Sequence, residues 1–156
     1  HNLSDEQLAP IMQPILKAHG IETSDELAGK AAGIMKERMT LTTDMWDLTS
    51  FFFVAPTEYE EKLTKKQWKG ENPAMLKELS SVLEAIDDFS KENTEAVVRA
   101  WIEAKGFSLG QVMNTLRLAL VGAGKGPGMF DVTEFLGREE CIKRIDNLFE
   151  NVAPQM

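Results

Sequence analysis

A chain of 156 residues, 43% of them hydrophobic, carries enough apolar material for one domain or two small ones and lacks the composition of a disordered segment. Seventeen lysines and arginines against 25 aspartates and glutamates give a formal charge of −8. That balance excludes the broad basic surface that grips nucleic acid by displacing counterions, so any nucleic-acid contact is local and DNA is not an expected partner. A single cysteine, Cys141, rules out an internal disulfide and a zinc-binding thiolate cluster.

No stretch approaches the roughly 18 apolar residues of a membrane span, so no membrane partner is expected. The opening HNLSDEQLAP lacks the basic end and apolar run of a signal peptide, which makes the cytoplasm the expected compartment. A chain that begins with His1 instead of methionine reads as a piece of something longer.

In chain order, helix signals dominate. Ser4 with Asp5 and Glu6 opens a first helix, which Pro10 and Pro14 are expected to bend or split before Gly20 ends it. Ser24, Asp25 and Glu26 start a second, running to about Met39. TTDMWDLTSFFF reads as a short helix ending before Pro56, with FFFV as an alternative but unpaired strand. Thr57 and Glu60 form a capping-box pattern for EYEEKLTKK. The charged, apolar-poor KKQWKGEN (65–72) is the expected boundary, dividing the chain into 1–68 and 69–156.

Beyond it, Asn72 is placed as a cap with Pro73 in the first helical position, and Leu76, Leu79, Val82, Leu83, Ile86 and Phe89 recur at helical spacing. NTEAVVRAWIEAKG forms the next helix, Ser108 with Gln111 caps another, and REECIKRIDNLFE closes the set with Cys141, Ile142, Ile145, Leu148 and Phe149 facing inward. The expected fold is all-α, about eight helices in two small bundles in tandem.

The densest motif is GAGKGPG (122–128). A nucleotide P-loop needs G-x-x-x-x-G-K and then Ser or Thr, but Ala119 stands five before Gly124 and Gly126 follows Lys125. A dinucleotide loop needs a third small residue where Pro127 or Met129 stands, and a strand where SLGQVMNTLRLALV reads as a helix. Phosphate cradling is therefore rejected. From the residues alone the loop is a helix stop, with Gly122 at the C-terminal cap and a new start at Asp131.

The order of residues around it, SLGQVMNTLRLALVGAGKGPGMFDVTEFLGREECIKRI, resembles the C-terminal end of bacterial glutamyl-tRNA synthetases. Leu109-Gly110-Gln111-Val112, Leu116-Arg117, Pro127-Gly128, Phe130, Leu136-Gly137 and Arg144 fall in the pattern's places. The upstream half fits in helix order. The resemblance implies two helical domains that read the anticodon loop of glutamate tRNA, detached from a catalytic domain that uses ATP and magnesium. That domain's His-x-Gly-His and Lys-Met-Ser-Lys-like elements are absent from this sequence. The chain itself is therefore expected to be a monomer that binds tRNA, holds no cofactor or metal, and has no catalytic residue.

The same resemblance carries particular positions. Arg38 matches an arginine lying against the third anticodon base, where a guanidinium can present a rigid two-donor fork; the alternative is a solvated arginine at a helix C-terminus. Arg117 matches a residue that helps hold the anticodon bases, against the alternative of a stem covering core with its head in water. Gly126, Pro127 and Met129 match the segment beside the anticodon, with Met129 as an apolar contact to a base. Gly126 replaces a hydroxyl residue that some members carry. Lys65, Lys66, Trp68 and Lys125 are candidate contacts to the tRNA backbone, Trp68 as a partly exposed tryptophan in a basic setting, while the remaining aromatics read as core. The competing function is a helical protein-interaction module without nucleic acid, suited by eight methionines and several apolar helix faces.

Overall fold

The computed structural model describes residues 4–36, 45–124 and 127–152. Nine α-helices and no β-strand occur among them, in agreement with the all-α expectation. The chain divides between Val54 and Ala55 into two compact units.

The first unit holds α1 (Asp5–Ala18), α2 (Asp25–Met35) and α3 (Met45–Phe53). Ser4 and Gln7 close a reciprocal capping box: Gln7 N donates to Ser4 Oγ at 3.2 Å, and Ser4 N to Gln7 Oε1 at 2.9 Å. Ser24 caps α2 by accepting from Leu27 N. Contrary to expectation, Pro10 and Pro14 do not split α1, which runs unbroken through both. They lie four residues apart on the exposed side, where water can satisfy carbonyls that lose a partner N–H, while Leu8, Met12 and Leu16 hold the opposite face in the core.

The α1–α2 pairing depends on small residues. Ala28, Gly29, Ala31 and Ala32 are buried, and a Cβ on Gly29 would collide with the backbone carbonyl of Asp5. Ile15, Ile21, Trp46 and Phe53 pack against the resulting core, and the His19 ring stacks on Trp46 with centroids 4.0 Å apart. FFFV is thus helical as far as Phe53.

The second unit contains α4 (Glu61–Gln67), α5 (Asn72–Glu84), α6 (Lys91–Lys105), α7 (Leu109–Leu120), α8 (Met129–Leu136) and α9 (Arg138–Asn151). Helix α7 packs against all five others. Its Val112, Thr115, Leu116, Leu118, Ala119 and Leu120 are buried, a pattern that wraps around the helix as a central position requires. Leu76, Leu79 and Leu83 of α5 and Cys141, Ile145 and Leu148 of α9 complete the core. Lys91 ties α6 to α8, donating its backbone N–H to Glu134 at 2.8 Å and pairing its ammonium with Asp131 at 3.0 Å.

Three local expectations shift. The division lies earlier than 65–72 because α4 belongs to the second unit: Trp68 is 0% exposed, meets Phe149 edge-on at 5.0 Å and donates its indole N–H to Val152 O at 2.8 Å. Thr57 and Glu60 form no capping box; α4 starts at Glu61 because the Glu60 N–H is directed to Gly122 O at 2.7 Å. Asn72 lies inside α5, its side chain donating to Gln67 O and accepting from Gln111, so one amide joins α4, α5 and α7.

The close approach at Gly29 predicts that Gly29→Ala costs about 1–3 kcal/mol of unfolding free energy by overpacking. Gly20→Ala, at φ +75 with open space around the added methyl, costs only backbone strain of about 1–2 kcal/mol. Urea titration of the two variants measures the difference. Burial pushes the Cys141 thiol up to about 12. Thiol reagents at pH 8 should therefore leave the native protein unmodified and label it only as denaturant unfolds it, since the reactive species is the thiolate.

Candidate nucleic-acid interface

The 122–128 loop grows out of the end of the central helix. Val121 N and Gly122 N both donate to Arg117 O, at 2.8 and 3.2 Å, and Gly122 adopts φ +82, so it stops α7 as its residue type suggests. The irregular segment Pro56–Glu60 lies over this turn. A Cβ on Gly122 would sit 2.7 Å from Pro56 Cβ and 3.0 Å from Glu58 O, and Gly122 O accepts the Glu60 N–H. Only glycine fits both the conformation and the space.

The far end of the loop is fastened separately. Pro127 is buried, and its carbonyl accepts from Arg117 Nη1 at 2.9 Å. Arg117, half-buried on α7, thus spans from the helix that begins the loop to the residue that ends it. Gly128 then caps α8, its carbonyl receiving Asp131 N and Val132 N. Helix α8 begins at Met129, two residues before the expected start at Asp131. Between the anchors Gly124 is exposed, and a methyl there would touch nothing closer than Glu60 Oε1 at 3.9 Å.

The structure brings several candidate residues together and removes others. Lys65 and Lys66 are exposed on α4, which packs against α7. Lys65 pairs with Glu61 at 2.8 Å, both side chains well exposed, a contact that water or a phosphate readily replaces. Met129 is 3% exposed, its side chain buried within the unit where the resemblance expects an apolar contact to a base. Trp68 is likewise inside the unit and not the partly exposed tryptophan its lysine-rich setting suggests. Arg38, Lys125 and Gly126 lie outside the described residues.

Arg144, a position in the family pattern, has a buried setting that the sequence reading does not assign. Arg144 is 1% exposed, donates from Nε to Glu140 at 2.7 Å and from Nη1 to Leu120 O at 2.8 Å. The available signal is its position: it falls on the same face of α9 as Cys141, Ile145 and Leu148, where an arginine is out of place unless paired. The Tyr59 hydroxyl, on the segment over the turn, is buried without a hydrogen-bond partner among the described residues; desolvation raises its pKa while the Arg144 charge opposes that rise.

The result is a run of small residues held at both its described ends, with exposed Lys65 and Lys66 on α4, a helix packed against α7. Such a loop can bring backbone amides and carbonyls close to the edges of unpaired bases, the feature by which RNA sequence is most often read. No group of His, Cys, Asp or Glu suited to a metal ion occurs among the described residues, and no helix there is long and apolar enough to cross a membrane.

The Gly122 geometry predicts that Gly122→Ala costs about 2–4 kcal/mol, combining left-handed strain with the clash against Pro56. Gly124→Ala should be near neutral. Chemical denaturation of both variants tests the contrast.

Comparison with known proteins places this arrangement. Residues 7–149 match the family described as "Anticodon binding domain". The chain is 52% identical over 147 residues to a glutamate–tRNA ligase of Phocaeicola vulgatus and 49% identical over 147 residues to one of Parabacteroides distasonis, in each case covering 94% of this chain and 29% of the relative. Its fold matches the crystal structure of a glutamate tRNA ligase from Elizabethkingia meningosepticum in complex with its amino acid, with a TM-score of 0.90 and 38% identity over 97% of this chain and 30% of that one. The chain thus spans under a third of the length of the curated relatives it matches. A loop rooted in a central helix, a core of six helices around it and a family match over nearly the whole length lead to one assignment: the chain belongs to the anticodon binding domain family, in the form found in the C-terminal region of bacterial glutamate–tRNA ligases.

Proposed function

We propose that the chain holds the anticodon loop of glutamate tRNA on behalf of a glutamate–tRNA ligase, with the ATP- and magnesium-dependent attachment of glutamate carried out by a catalytic domain outside these 156 residues. The observation that carries this reading is the doubly anchored loop: Arg117 to Pro127 O at one end and Glu60 N to Gly122 O at the other. A loop whose two ends are anchored before binding has less conformational freedom to lose when a base docks on it, which favours affinity and selectivity together.

In this reading Gly126 and Pro127 belong to the segment beside the anticodon, Arg117 fixes the Pro127 carbonyl at the end of that segment, and Lys65, Lys66 and Lys125 supply the local phosphate contacts that an acidic protein still needs. Arg38 reads the third anticodon base through its guanidinium fork. The chain works as a cytoplasmic monomer and needs no cofactor of its own.

The test is binding of the chain to an anticodon-stem hairpin of glutamate tRNA and to hairpins varied only at the third anticodon base, at two salt concentrations. Arg38→Ala should cost about 1–3 kcal/mol against the correct base and much less against the others, the range for a good bidentate contact. Equal losses for all four bases, with a salt slope lowered by about one, would assign Arg38 to a phosphate instead. Failure of the unaltered chain to distinguish the hairpins would overturn the anticodon reading.

A further inference from the structure

Arg144 presents a physical problem. A guanidinium that is 1% exposed has lost nearly all its hydration, and its carboxylate partner Glu140 remains 34% exposed. Buried ion pairs are often no more stabilising than apolar side chains of the same volume, so core stability is a poor reason for an arginine at this place. What arginine supplies and an apolar side chain does not is direction: a planar fork whose donors point along fixed lines.

The direction here is toward the loop. Arg144 Nε is held by Glu140 one turn earlier on α9, which orients the plane, and Nη1 then meets Leu120 O. Leu120 is the last residue of α7, and its carbonyl is one of the four that a helix leaves without an internal partner at its C-terminus. Two residues later comes Gly122, pinned by Glu60; one turn earlier on the same helix, Arg117 reaches across to Pro127. Two arginines therefore grip the loop from opposite ends, one from α9 beneath its start and one from α7 across to its finish.

We propose that Arg144 is a positioning residue for the 122–128 loop: by holding Leu120 O it sets where the loop leaves α7, and so how tightly and selectively the loop receives an anticodon. The proposal rests on the functional reading above. Arg144 touches no RNA in it and acts through Leu120 and Gly122.

The test compares Arg144→Lys and Arg144→Met with Leu148→Ala, a change in the same helix and core that leaves the loop's hydrogen bonds in place. Amide hydrogen exchange of Val121 and Gly122, measured without RNA, should speed up about tenfold in the Arg144 variants relative to amides in the middle of α7, the loss expected for one hydrogen bond to a charged group. In Leu148→Ala any acceleration should be shared evenly across the unit. Affinity for the glutamate anticodon hairpin should fall about tenfold in Arg144→Lys with its salt slope unchanged, because a buried residue that meets no phosphate releases no counterion.

Exchange at Val121 and Gly122 no faster than in the control overturns the proposal, and so does a fall in affinity accompanied by a lower salt slope. If Arg144→Met does not fold, Arg144→Lys, which keeps the charge and changes only the fork, decides the matter by the same readings. If the unaltered chain does not bind the hairpin, the anticodon reading fails while the exchange experiment still decides whether Arg144 positions the loop.

Discussion

A central helix has to end somewhere, and at its C-terminus four carbonyls lose their partners. That constraint on α7 organises the second unit. Arg117 O is taken up by Val121 and Gly122, Leu120 O by Arg144, and Gly122 O by Glu60. The last two partners come from distant parts of the chain, so the end of α7 draws α9 and the Pro56–Glu60 segment to the same place. The start of the loop that follows, at Gly122, is thereby fixed in place. Gly122 serves less to make the loop flexible than to let the Pro56–Glu60 segment approach it.

The two units reach compactness by different packing. In the first, alanines and Gly29 let α1 and α2 approach until backbone meets backbone, with the larger Trp46 and Phe53 laid against the outside of that pair. In the second, buried leucines from α5, α7 and α9 fill the core with branched side chains. Close small-residue packing tolerates few changes in volume, whereas a leucine-rich core accepts conservative exchange more readily.

Most of the helices are legible because their apolar residues recur at helical spacing and four of them begin at a serine whose hydroxyl caps the first turn: Ser4, Ser24, Ser90 and Ser108. The errors share a cause. Thr57 and Glu60 look like a cap, Trp68 like an exposed aromatic and Asn72 like a helix start because local pattern says nothing about distant partners. Gly122, Val152 and Gln111 are those partners, each 39 or more residues away by count along the chain. The glycine-rich loop was legible as a place of interest, and family resemblance marked Arg117 and Pro127, but their direct hydrogen bond is a product of tertiary folding. Met129 reads equally well as surface or interior from sequence, since a methionine after glycine carries no sign of which way it faces. The resemblance marks Arg144 as a pattern position but not its burial: its charge suggests water, and only its register with Cys141 and Leu148 betrays the interior.

The indole of Trp68, bonded to Val152 O, ties the end of α4 to the residue that follows α9, 84 positions along the chain. Thr57, Tyr59, Asn151 and Val152 line one shallow cleft, so the segment that leads into α4 and the end of α9 lie side by side. A chain cut in an exposed turn such as the one at Gly106 would leave those two stretches still fastened to each other through the indole. The tryptophan acts as a seam that closes the second unit independently of the loop at its centre.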